Sequence, residues 1–483
     1  MQINTNLTKN IEYLSKTLNS DDVTFLDVKL SNTKAVLIFV NDLIDKNAVG
    51  ELILRPASNF KGKINQKKLF DTFCSPEKTI INDTQKIISD VLLGNAVLVC
   101  DKIDLALSFG LKFFEKRAIS EPPTSTVIKG PREGFVECLP VNISLMRRRL
   151  KTPSLRFENM TVGKYSKTPV ALCYLDGIAD KKLIEQVKKR LQQINIDAVL
   201  DSSYISKFLG EHQVSLFKQV GNTEKPDILA AKILEGRVAI FVDGSPIALS
   251  VPYLLIEDFQ SASDYYNSAY SATVARVLRL LSVVFALFLP AVFVAAELFH
   301  LQLIPLSFLL TIVNSIKGIP LSPSYEMFFT LMIFEILNEA SVRMPKYVGM
   351  VVSIVGGLVL GETAVTAGII SAPTLMIVAL SGICLYTVPE LEQTFSVLRI
   401  VFLIIAGTTG LYGLILAISG FFIYLISFEN FSTPILAPFS PLIKEDLKDG
   451  FYKGFIEEME YRPRSIKNKN KRRIGLTKKG DIN

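Results

Sequence analysis

The apolar residues of this chain are concentrated in its C-terminal half. Almost all of the long apolar runs fall within residues 280–428, and the stretches 363–389 and 400–428 contain no charged residue. Both stretches exceed the roughly 20 residues that a helix needs to cross a bilayer. The pattern therefore predicts an integral membrane protein in which a large polar head precedes the membrane half.

The polar N-terminal half is expected to form a head of two α/β lobes, residues 1–140 and 141–262. Short β-branched runs such as 23–30 and 34–40 predict strands. In the second lobe, strands alternate with a helix over residues 180–194, which indicates βαβ units and a partly parallel sheet. The sequence is interpreted as containing no internal repeat.

A juxtamembrane helix over residues 263–279 is expected to lead into an all-α polytopic membrane bundle over residues 280–428. Within the bundle, prolines and glycines break residues 301–345, which predicts two short or re-entrant helices, because irregular backbone at membrane depth must be buried in protein or line water. Counting this pair as two spans or as none gives six spans or four. An even number places the tail, residues 429–483, on the same side as the head.

The tail carries a dense positive charge. Nine of the basic residues fall between Arg462 and Lys479 with no acid among them, in a chain whose formal net charge is +7. The positive-inside rule favours a cytoplasmic segment that faces membrane lipids. Nucleic acid binding is the alternative, and the membrane half makes it the weaker interpretation.

Residue patterns that carry catalysis or bind metals and cofactors are absent from the sequence. The five cysteines are widely spaced, and two histidines, His212 and His300, cannot form a multi-histidine site. There is no Walker-type phosphate loop and no Gly-x-Ser-x-Gly motif. We therefore expect a protein that is not an enzyme and needs no cofactor.

Two aspartates in the head are weak candidates for ligand contacts. Asp176 and Asp243 each precede a glycine and follow a predicted strand. They are typical of ordinary turns. Alternatively, they contact a ligand at the carboxyl edge of a parallel sheet.

Four charged residues in the membrane half follow one another at intervals of nine, four and four: Glu326, Glu335, Glu339 and Arg343. The last three share one helical face, on which Glu339 and Arg343 can pair. Charges at bilayer depth are costly unless they are paired or solvated. This charged face either lines a watery path or a subunit contact, or it lies at the membrane interface.

A run of small residues follows this charged face, and it includes Gly361, Ala364 and Gly368. Small residues let helices pack closely, which is one interpretation. The other is a narrow apolar constriction at Val365 that gates by excluding water, with Glu362 at its mouth.

Several long motifs in this chain resemble one family of proteins. They are EPPTSTVIKGPREGFVE at 121–137, LDGIAD at 175–180, EGRVAIFVDGSPIALSVP at 235–252, FEILNEASVRMP at 334–345 and VGGLVLGETAVTAGIISAP at 355–373. Together they resemble the A subunit of the GerA family of spore germination receptors, over nearly the whole chain and in the same order.

The resemblance implies a cytoplasmic head and tail and a multi-pass bundle in the inner membrane of a bacterial spore. It also implies a complex with B and C subunits, and a homo-oligomeric ring of A subunits that forms a nutrient-gated channel for monovalent ions among the membrane lipids. Lys129, Arg132 and Glu133, which lie in the first motif, are expected to contact another lobe or subunit.

The alternative function is a transporter-like or binding subunit that itself holds the nutrient germinant. A transporter is expected to show inverted repeats with paired broken helices. The sequence shows no such repeats, which favours the channel-forming receptor subunit.

Overall fold

The computed structural model describes residues 2–31, 33–60, 66–73, 75, 77–113, 129–212, 215–345, 357, 359 and 361–473. Within these residues the chain forms two sheet-containing lobes, then a set of long apolar helices, then a C-terminal segment that returns to the second lobe.

The first lobe is a five-stranded sheet with helices on both faces. Its elements are α1 (Leu7–Thr17), β1 (Val23–Leu30), β2 (Thr33–Val40), α2 (Lys46–Val49), α3 (Arg55–Asn59), α4 (Gln66–Thr72), β3 (Lys78–Ile81), α5 (Thr84–Leu92), β4 (Ala96–Cys100) and β5 (Ala106–Phe109). The strand order is β1-β2-β4-β5-β3. Successive side chains of a strand point to opposite faces, so Leu37 packs against one helical layer while Val36 and Ile38 pack against the other.

The second lobe has the same layered arrangement. Its elements are α6 (Leu139–Arg149), β6 (Leu155–Val162), β7 (Thr168–Leu175), α7 (Lys181–Gln193), α8 (Ser202–Leu209), β8 (Gly221–Thr223), α9 (Pro226–Leu234), β9 (Val238–Val242) and β10 (Ala248–Val251). The strand order is β6-β7-β9-β10-β8. One face packs against α7 and α8, and the other against α6 and α9.

Both sheets are antiparallel throughout their described strands, so the prediction of a partly parallel sheet is wrong. β6 and β7 form a hairpin, as do β9 and β10. Between β7 and β9 the chain also builds the edge strand β8, and it therefore re-enters the sheet from the opposite end. A crossover that returns directly to the same end would have been needed for a parallel pair.

The two lobes repeat one topology, because each strand order reads first, second, fourth, fifth, third. The expectation of no internal repeat is therefore wrong. The signal is present in the sequence at a spacing of 132 residues, where Leu7, Asn10 and Leu18 correspond to Leu139, Asn142 and Leu150. Few identical residues mark the repeat, which explains why pattern reading missed it.

Two polar contacts recur in both lobes. The side-chain amide of Asn10 bridges the backbone of Asn4, and that of Asn142 bridges Val136 with the same two hydrogen bonds of 2.6 and 2.9 Å. Asp101 and Asp243 each follow the fourth strand of their lobe and accept from the first backbone N–H of α1 and α6. The repeat thus extends to the way in which each lobe fixes its first helix.

A buried ion pair joins the two lobes. Arg147 of α6 donates to both carboxylate oxygens of Asp22 at 2.7 Å, and both side chains are 1% exposed. The guanidinium also donates to Ser20 and lies over the ring of Phe157. The turn before β1 is therefore held directly against β6.

The membrane half contains α10 (Ala262–Tyr266), α11 (Ala269–Phe299), α12 (Leu306–Ile316), α13 (Pro323–Arg343), α14 (Ala372–Leu385) and α15 (Glu392–Ile426). Among the described residues, two helical stretches are long and apolar enough to cross a membrane, Ala269–Phe299 and Pro389–Ile426. A separate juxtamembrane helix ending at residue 279 is not observed, because α11 continues through that position without a break.

The last long helix folds back on itself at Gly410. This residue has φ +67° and ψ −155°, and the left-handed φ favours glycine. Phe402 and Phe421 lie on opposite sides of the break with ring centroids 5.8 Å apart. In a straight helix they would be separated by roughly 28 Å, so α15 is a hairpin of two arms, residues 392–409 and 411–426.

Both ends of this hairpin meet the same part of the head. Thr394 donates to the carbonyl of Leu216, while the ring of Phe428 lies 4.7 Å from that of His212. The prediction of one span over residues 400–428 is therefore wrong. At the other extreme, a Cβ on Gly410 would meet Phe299 at 3.0 Å, so the hairpin tip and the end of α11 define one end of the bundle, called the far end below.

The tail packs on the head as far as the structure describes it. After the short strands β11 (Glu429–Asn430) and β12 (Thr433–Pro434), the chain reaches the second lobe, where Asn468 pairs with Ala179 in a β-bridge. Arg462 is 8% exposed and donates to the carbonyl of Leu234. The lipid-facing interpretation of the tail is therefore wrong for residues 462–473, and residues 474–483 lie outside the described part.

Replacing Arg147 by methionine tests the connection between the lobes. The change leaves the Asp22 carboxylate buried without its partner, and we expect a loss of about 3–5 kcal/mol of stability. Thermal unfolding of the detergent-solubilised chain measures it. Arg148→Met is the control, since Arg148 is 41% exposed and lies 3.6 Å from Glu133, and its effect should stay below about 1 kcal/mol. Equal effects of the two changes would contradict this role.

Candidate functional site

The junction between the head and the membrane half is organised around Asp264. This aspartate of α10 is 2% exposed, and its carboxylate accepts from Arg279 at 2.8 Å and from Arg276 at 3.2 Å. Its carbonyl accepts from Lys453 at 2.6 Å. Burial alone would raise the pKa of Asp264, but the hydrogen bonds and charges of the two arginines lower it.

Arg276 also ties the tail into this junction. Its guanidinium donates to the Asp449 carboxylate at 2.9 Å and to the carbonyls of Asp449 and Gly450 at 3.0 Å. The hydroxyl of Tyr265 donates to the same carboxylate at 2.7 Å. The base of α11, the short helix α10 and the tail are therefore fixed to one another by paired charges.

A second set of buried charges lies between the second lobe and this junction. Glu257 accepts from Arg237 through one oxygen and lies 2.7 Å from Lys232 through the other. Burial raises the pKa of Glu257, but the two cations outweigh it and bring the pKa to about 2. Nearby, Lys218 pairs with both Asp258 and Glu390 at 2.7 Å and so joins the head to the start of α15.

These charges surround a cavity of about 680 Å³. Most of the basic side chains that line it already have acidic partners, as in the Arg237–Glu257 and Lys218–Glu390 pairs. The cavity therefore separates the head from the base of the helices without presenting a large unbalanced charge. It forms a polar space in which the two halves of the molecule meet.

The structure divides the predicted charged face of the membrane half into separate contacts. Glu339 and Arg343 form the expected i, i+4 pair at 2.5 Å, and both side chains are more than half exposed. Glu335 instead pairs with Arg399 of α15, which is completely buried. Glu326 is 1% exposed and accepts two hydrogen bonds from Ser371 at 2.7 Å.

The small-residue run forms a short helical segment that ends at a turn. Residues 361–366 are helical, and Gly368 has φ +67°. Glu362 is exposed and Val365 and Ala364 are half-buried. A Cβ on Gly361 would meet Leu375 at 3.3 Å, whereas nothing lies within 4 Å of one on Gly368. Gly368 therefore serves the turn, and close helix packing accounts for Gly361 alone.

The basic loop of the first motif lies on the second lobe. Glu133 pairs with Arg149 at 2.9 Å, and a Cβ on Gly130 would collide with the ring of Tyr266 at 2.6 Å. Lys129 and Arg132 are exposed. The loop thus contacts the second lobe through Glu133 and Gly130, while its two cations lie at the surface.

Asp176 and Asp243 do not share one edge of the sheet. They follow β7 and β9, which are antiparallel neighbours, so they lie at opposite ends. Asp243 caps α6, and Asp176 is 54% exposed and lies 3.8 Å from Arg156. The hypothesis of a ligand site at a common carboxyl edge is therefore wrong, and both residues belong to turns.

Sequence reasoning missed most partners of the charges that it singled out. Arg399 lies 64 residues from Glu335, and Asp449 lies 173 residues from Arg276. The available signal was an isolated charge in a long apolar stretch, since Arg399 immediately precedes the charge-free residues 400–428. Such a charge requires a buried partner, but its identity depends on the fold.

Comparison with known proteins assigns the class. A model of the Bacillus/Clostridium GerA spore germination protein family matches residues 10–465. The chain is 37% identical to spore germination protein KA of Bacillus subtilis over 486 residues, which cover 98% of this chain and 89% of that protein. It is 33% identical to spore germination protein GerLA of Bacillus cereus, with 93% of each chain covered.

Two further similarities concern the membrane half and the head. The chain is 35% identical to the uncharacterized membrane protein YfkQ of Bacillus subtilis, over 95% of this chain and 91% of that one. It also resembles the crystal structure of the N-terminal domain of the A subunit of the Bacillus megaterium spore germinant receptor GerK3. That match has 27% identity and a TM-score of 0.42, and it covers 53% of this chain and 98% of the domain.

The chain belongs to the GerA family of spore germination proteins. Within that family its relatives are A subunits of germinant receptors, as the sequence motifs indicated, and the predicted resemblance is confirmed. None of the relatives named above is named as an enzyme.

Replacing Glu257 by glutamine tests the charge cluster beside the junction. The change leaves Arg237 and Lys232 without their shared carboxylate, and we expect a loss of about 3–5 kcal/mol at neutral pH. Because the folded-state pKa is depressed to about 2, this contribution is present above pH 4.5 and is lost as the pH falls toward 2. Denaturant unfolding of the full chain between pH 2 and 7 measures it.

The matched control is Glu445→Gln, because the Glu445–Arg464 pair is more than half exposed. It should change stability by less than about 1 kcal/mol and should leave the acid dependence unaltered. A Glu257→Gln variant with the stability and acid dependence of the natural chain would contradict the assignment.

Proposed function

We propose that this protein is the A subunit of a nutrient-responsive germinant receptor in the inner membrane of a bacterial spore. In this proposal it assembles with B and C subunits and forms a germinant-gated channel for monovalent ions. Supporting observations are the family membership and a helical segment, residues 361–366, that places half-buried Val365 beside exposed Glu362.

A ring of several copies is proposed because the segment lies at the surface of a single chain. Glu362 and Ile369 are exposed, so one chain alone does not enclose this segment. Copies arranged around an axis would bring Val365 together as an apolar constriction and repeat the Glu362 carboxylate at its mouth. Such a constriction excludes water when it is narrow.

The proposed topology has six crossings. They are α11, α13, a crossing that ends in residues 361–366, α14 and the two arms of α15, while α12 is too short to cross. Lys218 pairs with Glu390 at the base of α15, and Tyr386 beside that base donates to Asn338 of α13. These contacts favour a head and tail on one side, proposed to be the cytoplasm, with lipids around the helices.

The junction network supports a route from the head to the helices. Arg276 and Arg279 belong to α11, and both reach Asp264 in α10. A movement of the second lobe would therefore act on α11 directly. Lys129 and Arg132 at the surface of the head are proposed contacts for a neighbouring subunit, since cations in such loops bind carboxylates.

The transporter-like alternative, in which this chain itself holds the nutrient, has less support. The repeat in the structure lies in the head, where both copies have the same orientation of elements. A transporter would instead carry inverted repeats in its membrane half. Measuring nutrient binding to the purified chain, alone and with its partners, separates the two functions.

The topology is tested by labelling single cysteines from outside the membrane. In a cysteine-free background, Ser322→Cys at the far end should react with an impermeant maleimide, whereas Lys181→Cys in the head and Lys471→Cys in the tail should react only after permeabilisation. The expected result follows from the even number of crossings. External labelling at either lysine position would contradict the topology.

The gate is tested with Val365→Ser. A hydroxyl at the constriction favours water, and we expect the variant to conduct ions without nutrient, with leak raised at least tenfold in liposomes. Glu362→Gln should reduce the preference for cations, because it removes one carboxylate per subunit from the mouth.

Ile415→Ser is the control for the gate, since Ile415 is apolar and 60% exposed on the hairpin arm. It should leave the leak unchanged. An unchanged leak in Val365→Ser, together with an unchanged cation preference in Glu362→Gln, would remove this segment from the pore and leave helix packing as its role.

A further inference from the structure

One carboxyl group in the membrane half lacks any partner among the described residues. Glu297, one turn before the end of α11, is 9% exposed and takes part in no hydrogen bond or ion pair there. Its Oε2 is fully buried. A buried carboxylate in a membrane protein is costly unless a positive charge or water meets it, so this side chain indicates a missing component.

A second buried carboxyl group lies close to the first. Glu326, in the first turn of α13, is 1% exposed, and its charge acts on Glu297. Its Oε1 accepts from the backbone N–H and the hydroxyl of Ser371, but its Oε2 is buried and accepts no hydrogen bond. Two carboxyl groups thus present buried, unpartnered oxygens to one region.

A third oxygen belongs to the same region. The hydroxyl of Ser324 is buried and has no hydrogen-bond partner. A Cβ on Gly407 would lie 2.7 Å from this hydroxyl and 3.9 Å from Val294, which precedes Glu297 by one turn. The absence of a side chain at Gly407 therefore lets the hairpin approach α11 and α13 where these oxygens lie.

The charge balance of the cluster indicates what is missing. The Glu326 carboxylate is compensated by Ser371 and lies at the N-terminal ends of α13 and α14, where helix dipoles stabilise negative charge. Glu297 lies at the C-terminal end of α11, where the dipole is unfavourable. His300 and Lys317, the basic residues nearest in sequence, form no ion pair with either carboxylate among the described residues. One positive charge is therefore lacking.

The ligand chemistry favours a monovalent metal cation. Carboxylate and hydroxyl oxygens are hard ligands that suit alkali and alkaline-earth ions. Calcium takes six to eight oxygens, whereas Glu297, Glu326 and Ser324 supply at most four that are not already engaged. The single uncompensated charge agrees with an ion of charge +1.

We propose that Glu297, Glu326 and Ser324 bind one K⁺ or Na⁺ ion at the far end of the bundle. The ion joins α11 to α13 beside the tip of the α15 hairpin. This site goes beyond the proposed function, because binding at it requires neither a pore nor a ring of subunits. It is a resident site whose occupancy stabilises the bundle from the end opposite to the head.

The direct test is cation binding to the full chain in detergent at pH 7.5. Equilibrium dialysis with ⁸⁶Rb⁺, as a substitute for K⁺, and with ²²Na⁺ should give one saturable site per chain for at least one of the two ions. Glu297→Gln should weaken that binding at least tenfold. Glu339→Gln is the control, because its carboxylate is 64% exposed on α13 and pairs with Arg343, and it should bind as the natural chain does.

Thermal unfolding supplies an independent measurement. KCl or NaCl should raise the midpoint of the natural chain in a saturable way, beyond choline chloride at equal concentration, because an ion that binds only the folded state stabilises it. Ser324→Ala, a milder change than Glu297→Gln, should lower the apparent affinity and still fold.

Three results would overturn the proposal. They are the absence of saturable binding of both ions to the natural chain, equal stabilisation by choline, and unchanged binding in Glu297→Gln. Stabilisation by acid between pH 8 and 5.5 without any cation dependence would assign the missing charge to a proton and would equally overturn it. Loss of conductance in the Val365 experiment has no bearing on these outcomes.

Discussion

The attachment of the helices to the head depends on the burial of Asp264. Its carboxylate is nearly inaccessible and meets two arginines of α11, while its backbone carbonyl meets a lysine of the tail. Breaking one member of a buried charge cluster leaves the others unpaired, which costs far more than the loss of a surface pair. The direction in which α11 leaves the head is therefore set by electrostatics, and every later helix packs directly or indirectly on α11.

Local patterns in the sequence predicted the strands of the head well, because each buried face requires apolar residues at alternate positions. β2 illustrates this, since Val36 and Leu37 pack on opposite faces. The direction of the strands was beyond such patterns. Whether β9 runs parallel to β7 depends on where the chain places β8, and no local residue signal records that choice.

The candidate sites were predictable only as single residues. Glu335 and Glu326 were singled out correctly as charges in an apolar region, but their contacts with Arg399 and Ser371 are long-range and depend on the packing of separate helices. Glu297 was overlooked because it lies at the edge of an apolar run, where a charge is ordinary. Its lack of a partner emerges only when the neighbouring helices are in place.

The reversal at Gly410 has a consequence for the way in which the chain enters a membrane. The residues on both sides of the glycine are apolar and uncharged from 400 to 428, and no polar loop separates the two arms. The insertion machinery consequently has no hydrophilic segment to move across the lipid here. The two arms enter together as one apolar unit during biosynthesis, and a side chain larger than hydrogen at position 410 would oppose that joint entry, because it would have to fold into a left-handed conformation beside Phe299.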